Sequence, residues 1–109
     1  MEMELDKLSP IDIEKAARFF WVFSDPSRLK IILFLLNSEG KACCVNKIAA
    51  SLHMNQPAVS QHLRILKEAH LVQVVREKQF LRYSIADKHV EELLSVGFRH
   101  IFEDIGERK

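Results

Sequence analysis

Four side chains near the C-terminal end, Asp87, His89, His100 and Glu103, are of the kinds that hold a divalent metal. Two imidazoles and two carboxylates supply the nitrogen and oxygen donors that zinc takes. Their spacing limits how. On a continuous α-helix of about 100° per residue, His89 and His100 differ by a net rotation of about 20° and Glu103 falls within about 60° of His89, so the three share one face. The rise of about 1.5 Å per residue separates the histidines by roughly 16 Å, far more than two zinc-ligand bonds of about 2 Å can span. One copy of the helix therefore cannot close a site. Two copies packed antiparallel across a two-fold axis can, because Asp87 and His89 of one then meet His100 and Glu103 of the other, giving two equivalent N2O2 sites per homodimer. Four N/O ligands in a closed site favour tetrahedral zinc, with cobalt and nickel as alternatives. Each residue also has an ordinary use: Asp87 is a good helix N-cap, Glu103 a solvated charge, and a single histidine is commonly no ligand.

A second set of chemistry lies between Cys44 and Ala69. Val45, Ile48, Ala49 and Leu52 recur at the spacing of one buried helical face. His53, Met54 and Asn55 break that pattern, and Pro57 opens a new helix, since proline in the first turn loses no hydrogen bond. In the second helix Val59, Leu63 and Leu66 form the inward stripe, which leaves Ser60, Gln61, Arg64 and Lys67 outward, with Gln56 at the entrance and His62 on the same helix. Glutamine pairs bidentately with adenine, arginine with guanine, and serine or lysine with phosphate, so the set suits a recognition helix in the major groove of duplex DNA. The bland alternative is a solvated helix face. The segment that follows favours DNA: Leu71 to Arg76 and Phe80 to Ile85 read as the strands of a β-hairpin around Glu77, Lys78 and Gln79. Helix, turn, helix and basic hairpin make a winged-helix order, with Arg76, Lys78, Gln79 and Arg82 placed to reach the DNA backbone or minor groove.

The rest of the chain must position these groups. Its 109 residues make one domain, 1–109, mainly α with a small β-hairpin, and any exposed apolar helix in so small a protein tends to seek a partner. Pro10 opens a helix through about Phe23 carrying Ala16, Ala17, Phe20 and Trp21. Phe19, Phe20, Trp21 and Phe23 together exceed what one small core absorbs, so part of this helix is expected to face another subunit. Asp25 and Pro26 start a second helix, with Leu29, Ile32, Leu33 and Leu36 as its expected buried stripe. From Asp87 onward, Val90, Leu94, Gly97, Ile101 and Ile105 mark the apolar stripe of a long C-terminal helix. The formal net charge is only +1, but it is segregated. Residues 1–24 carry 3 basic and 5 acidic groups, 25–55 carry 4 and 2, 56–86 carry 5 and 2, and 87–109 carry 4 and 6. The basic middle supplies a local field for phosphate. Neither a signal peptide nor a long apolar run is present, so the expectation is a soluble, cytoplasmic protein without a membrane partner.

The stretches DPSRLKIILFLL, CVNKIAASL, QPAVSQHLRILKEAHLV and RYSI resemble the ArsR/SmtB winged-helix repressors over roughly residues 20–104. The resemblance implies a homodimer paired through its first and last helices that represses transcription at operator DNA until a metal ion or other inducer binds. It also bears on the four C-terminal residues. Zinc-sensing members carry D-x-H, ten residues, then H-x-x-E or H-x-x-H, a pattern matched here by Asp87, His89, His100 and Glu103. The wing departs from the family, which commonly has glycine at the turn where this chain has Glu77, Lys78 and Gln79.

Cys43 and Cys44 raise a second possibility, because some family members bind soft metals through cysteines at this position. The family form is C-V-C or C-V-x-D, whereas Asn46 and Lys47 follow Cys44 here, and residues 1–20 contain no cysteine or histidine to complete a site. Asparagine and lysine are poor soft-metal ligands. A thiol- or redox-responsive repressor using Cys43 and Cys44 is the alternative, and two buried small hydrophobes the plainer reading. An enzyme is not expected: the chain has no glycine-rich phosphate loop and no nucleophile elbow.

Overall fold

A computed structural model describes residues 3–104. Five helices and three strands follow in the order α1 (Pro10–Phe23), α2 (Pro26–Leu36), β1 (Cys43–Cys44), α3 (Val45–Leu52), α4 (Gln56–Glu68), β2 (Val72–Glu77), β3 (Phe80–Ile85) and α5 (Lys88–Arg99), with a π-helical turn, His100–Asp104, continuing α5. Short polar side chains fix the helix starts. Ser9 and Asp12 form a reciprocal capping box at α1, and the hydrogen bond that the Ser9 N–H donates is the chief cause that holds the Asp12 carboxyl below its ordinary range. Asp25 accepts from the Arg28 N–H at 3.0 Å, Asn55 from the Ala58 N–H at 2.8 Å, and Asp87 from the His89 N–H at 2.9 Å. Helix α4 thus begins at Gln56, with Pro57 in its first turn.

The core gathers Ile31 and Ile32 of α2, Ile48 of α3, Val59, Leu63 and Leu66 of α4, and Leu71. The inward stripe of α4 is the expected one. That of α2 is not: Arg28, Ile31, Ile32 and Leu35 are buried, while Leu29, Leu33 and Leu36 are half-buried. A helix apolar on nearly every side from Leu29 to Leu36 can pack on more than one face. The observed one is chosen by Arg28, whose polar atoms find partners inside.

The sheet has a third strand that sequence periodicity did not suggest, because two residues carry no pattern. Strand β1 pairs antiparallel with β3, Cys43 opposite Tyr83 and Cys44 opposite Arg82, in the order β1-β3-β2. Strands β2 and β3 run from Val72 opposite Ile85 to Glu77 opposite Phe80, which leaves Lys78 and Gln79 as a two-residue turn. Lys78 has φ +60°, the left-handed region that favours glycine. Lys78→Gly is expected to raise the urea midpoint by an amount worth about 0.5 kcal/mol, the left-handed penalty of about 1 kcal/mol offset by glycine's extra entropy. A lower midpoint would contradict that assignment of strain.

Among the described residues, the first and last helices leave apolar side chains uncovered. On α1, Ile11, Ile13, Phe20 and Trp21 are exposed, the last two at 58% each, and Val22 is the buried residue of that helix. Leu93, Val96 and Ile101 are exposed on and just beyond α5. The first and last helices are therefore under-packed within one chain, as expected of helices that meet a partner. The final residue of the expected C-terminal stripe, Ile105, lies outside the described residues.

Candidate functional site

Gln56, Ser60, Gln61, Arg64 and Lys67 all lie exposed on α4, opposite its buried stripe. Arg64 has a loose i,i+4 contact with Glu68, 3.6 Å between Nε and Oε2. Both side chains are largely in solvent, so that pair holds the guanidinium only weakly. His62 does not share the face. It is half-buried, with Nδ1 3.5 Å from a terminal nitrogen of Arg28, and so turns toward α2 rather than toward a groove. The sequence alone counts His62 among the DNA-binding residues of this helix; the fold keeps it on α4 but turned away from the outward set.

On the wing, Arg76, Lys78 and Gln79 are exposed. Arg82 is more restrained, its side chain 39% exposed and its Nε 2.5 Å from Glu77 Oε1. Arg82 sits opposite Val75 and Glu77 opposite Phe80, so the two are diagonal neighbours on one face of the hairpin. Glu77 offsets part of the positive charge of the wing.

Asp87 and His89 stand together in the first turn of α5, where Asp87 Oδ1 takes the His89 N–H and lies 3.4 Å from its Nδ1. Both side chains are well exposed. His100 and Glu103 are exposed at the other end of the helix. Among the described residues of one chain, no three His, Cys, Asp or Glu side chains are grouped closely enough to hold a metal. The uniform α-helical rotation expected through Glu103 also fails, since the helix widens to π geometry from His100. A π-turn has an i→i+5 bond, so it changes where Glu103 points relative to His89.

The cysteines are separated by the strand they form, because adjacent residues on a strand project to opposite faces. Cys43 is buried, with Sγ 3.6 Å from both the Ser38 hydroxyl and the Lys41 carbonyl. Cys44 is half-buried at the N-cap of α3. The residue that sequence reasoning missed is Arg28, 5% exposed. Its one signal was that Arg28, Ile31, Ile32 and Leu35 have helical spacing as good as the stripe expected.

Residues 25–74 match the family model described as bacterial regulatory protein, arsR family. The chain is 41% identical over 83 residues to an uncharacterised helix-turn-helix transcriptional regulator of Methanocaldococcus jannaschii, covering 76% of this chain and 91% of that protein. It is 33% identical to a transcriptional repressor SmtB homologue of Synechocystis, covering 94% of this chain and 75% of that one. Among solved structures, it is similar to a homodimeric winged helix-turn-helix DNA-binding domain of Mycobacterium bovis, described as a possible ArsR-family regulator, with TM-score 0.73, 27% identity, and coverage of 93% and 94%.

Proposed function

This chain belongs to the ArsR/SmtB family of winged-helix transcriptional regulators, and on that premise we propose that it is a homodimeric repressor released from operator DNA by zinc, or by cobalt or nickel, bound between its C-terminal helices. One observation carries the metal reading. Two exposed pairs of ligands, Asp87 with His89 and His100 with Glu103, occupy opposite ends of a helix that also leaves Leu93, Val96 and Ile101 uncovered. An antiparallel partner helix covers those apolar side chains and brings unlike ends together. The donor chemistry fits zinc: Asp87 and His89 are already adjacent, and none of the four side chains is buried. Zinc supplies a charge that cross-links the subunits; the residues supply two donors from each. Relatives whose names describe cadmium and mercury resistance regulators support metal sensing in general.

DNA is engaged by Gln56, Ser60, Gln61, Arg64 and Lys67 of α4 and by Arg76, Lys78 and Gln79 of the wing, with Arg82 held back by Glu77. One recognition helix per subunit and a two-fold axis call for an inverted-repeat duplex. Because each metal site takes ligands from both subunits, metal favours one relative placement of the two halves and changes the spacing of the recognition helices. Coupling is reciprocal, so DNA lowers metal affinity by the same factor.

The thiol alternative has a direct test. Cys43→Ser with Cys44→Ser is expected to keep its zinc-driven release from DNA, read by fluorescence anisotropy of a labelled duplex. Loss of that release, with the dimer intact by sedimentation, would move the sensor to the cysteines.

A further inference from the structure

Arg28 is the buried charged residue among those described, and it touches three helices. Its own N–H is held by the Asp25 cap of α2. Its Nε donates to the Val22 carbonyl at 2.9 Å, in the last turn of α1, where carbonyls lack partners within the helix. Its guanidinium carbon stands 4.9 Å from the centre of the Trp21 ring, and a terminal nitrogen reaches His62 Nδ1 of α4 at 3.5 Å. Arginine has donors only, so a hydrogen bond across that contact requires Nδ1 to accept. The positive charge also lies at the negative end of the α1 dipole. Asp25 completes the cluster: its carboxyl is held below the ordinary range chiefly by the Arg28 N–H, with the Arg28 charge adding to the effect.

We propose that Arg28 and His62 form a strut between the end of α1 and the recognition helix, so that the seating of Trp21 sets the orientation in which α4 meets DNA. Trp21 matters because it is largely exposed on the helix that the dimer covers, while its ring is also in contact with Arg28. His62 is thus a positioning residue rather than a DNA contact. The strut rests on the repressor reading above, and its test separates the two.

The chain has a single tryptophan, so its emission reports the guanidinium beside Trp21. The probe is a duplex selected by the parent protein from a random-sequence pool. Adding it is expected to shift Trp21 emission in the parent. His62→Ala is expected to bind about tenfold more weakly and to lose that shift, with its fold and dimer checked by circular dichroism and sedimentation. His62→Gln, whose side-chain oxygen can accept from Arg28, is expected to restore both. Without DNA, His62→Ala alone is expected to alter Trp21 emission. An emission shift on DNA binding that survives in His62→Ala, or parent-like affinity of that variant, overturns the strut and leaves the repressor reading standing. A parent that selects no duplex overturns both.

Discussion

Zinc is expected to bind the dimer at two equivalent sites, and His100→Ala to lower its affinity by about a hundredfold or more. Structural zinc sites are worth roughly 10 to 16 kcal/mol over four ligands, so one ligand accounts for roughly 3 kcal/mol, or about two decades. The same loss is expected for His89→Ala, whose ring stands beside the carboxylate of Asp87. Because His89 and His100 lie at opposite ends of the helix, equal losses from both changes are informative. Competition with a chromophoric chelator measures them. Each variant should also stay on DNA at zinc concentrations that release the parent. Parent-like zinc affinity in either variant contradicts the ligand set.

The second large effect is expected on α4. Gln61→Ala and Arg64→Ala should each cost about 1 to 3 kcal/mol of binding to a selected duplex and relax the preference for one base pair. Lys67→Ala should instead weaken binding evenly across sequences and reduce the salt slope by about 1. None of the three side chains packs in the core, so thermal unfolding should hardly change. Titrations at matched salt test this. If Gln61→Ala and Arg64→Ala bind the selected duplex as tightly as the parent, α4 is not the recognition helix.

The inward face of α4 was legible in the sequence because Val59, Leu63 and Leu66 recur at helical spacing among Ser60, Gln61, Arg64 and Lys67, with Ile65 beside the stripe, and leave one choice of side. Helix α2 was legible as a helix but not in its facing. Its run from Leu29 to Leu36 has apolar groups on all sides, and the deciding residue is an arginine, a type normally assigned to the surface. The aromatic excess of α1 did signal an uncovered surface, and Phe20 and Trp21 are indeed exposed. Strand β1 was too short to have a period, and the π-turn at His100 leaves no mark in residue spacing. The metal-type residues were legible by chemistry alone. The meeting proposed for them would be a property of two chains, which one chain's packing does not contain.

The central claim, a metal site shared between subunits, is tested most directly in a mixed dimer. One subunit carries Asp87→Ala and His89→Ala; its partner carries His100→Ala and Glu103→Ala. With sites shared across the two-fold axis, one site of that dimer loses every ligand and the other keeps all four. Purified through different tags, the mixed dimer is expected to bind one zinc with parent-like affinity, while each doubly changed homodimer binds weakly. A mixed dimer that binds no zinc tightly would contradict the shared site, since ligands drawn from one chain leave neither subunit with a full set.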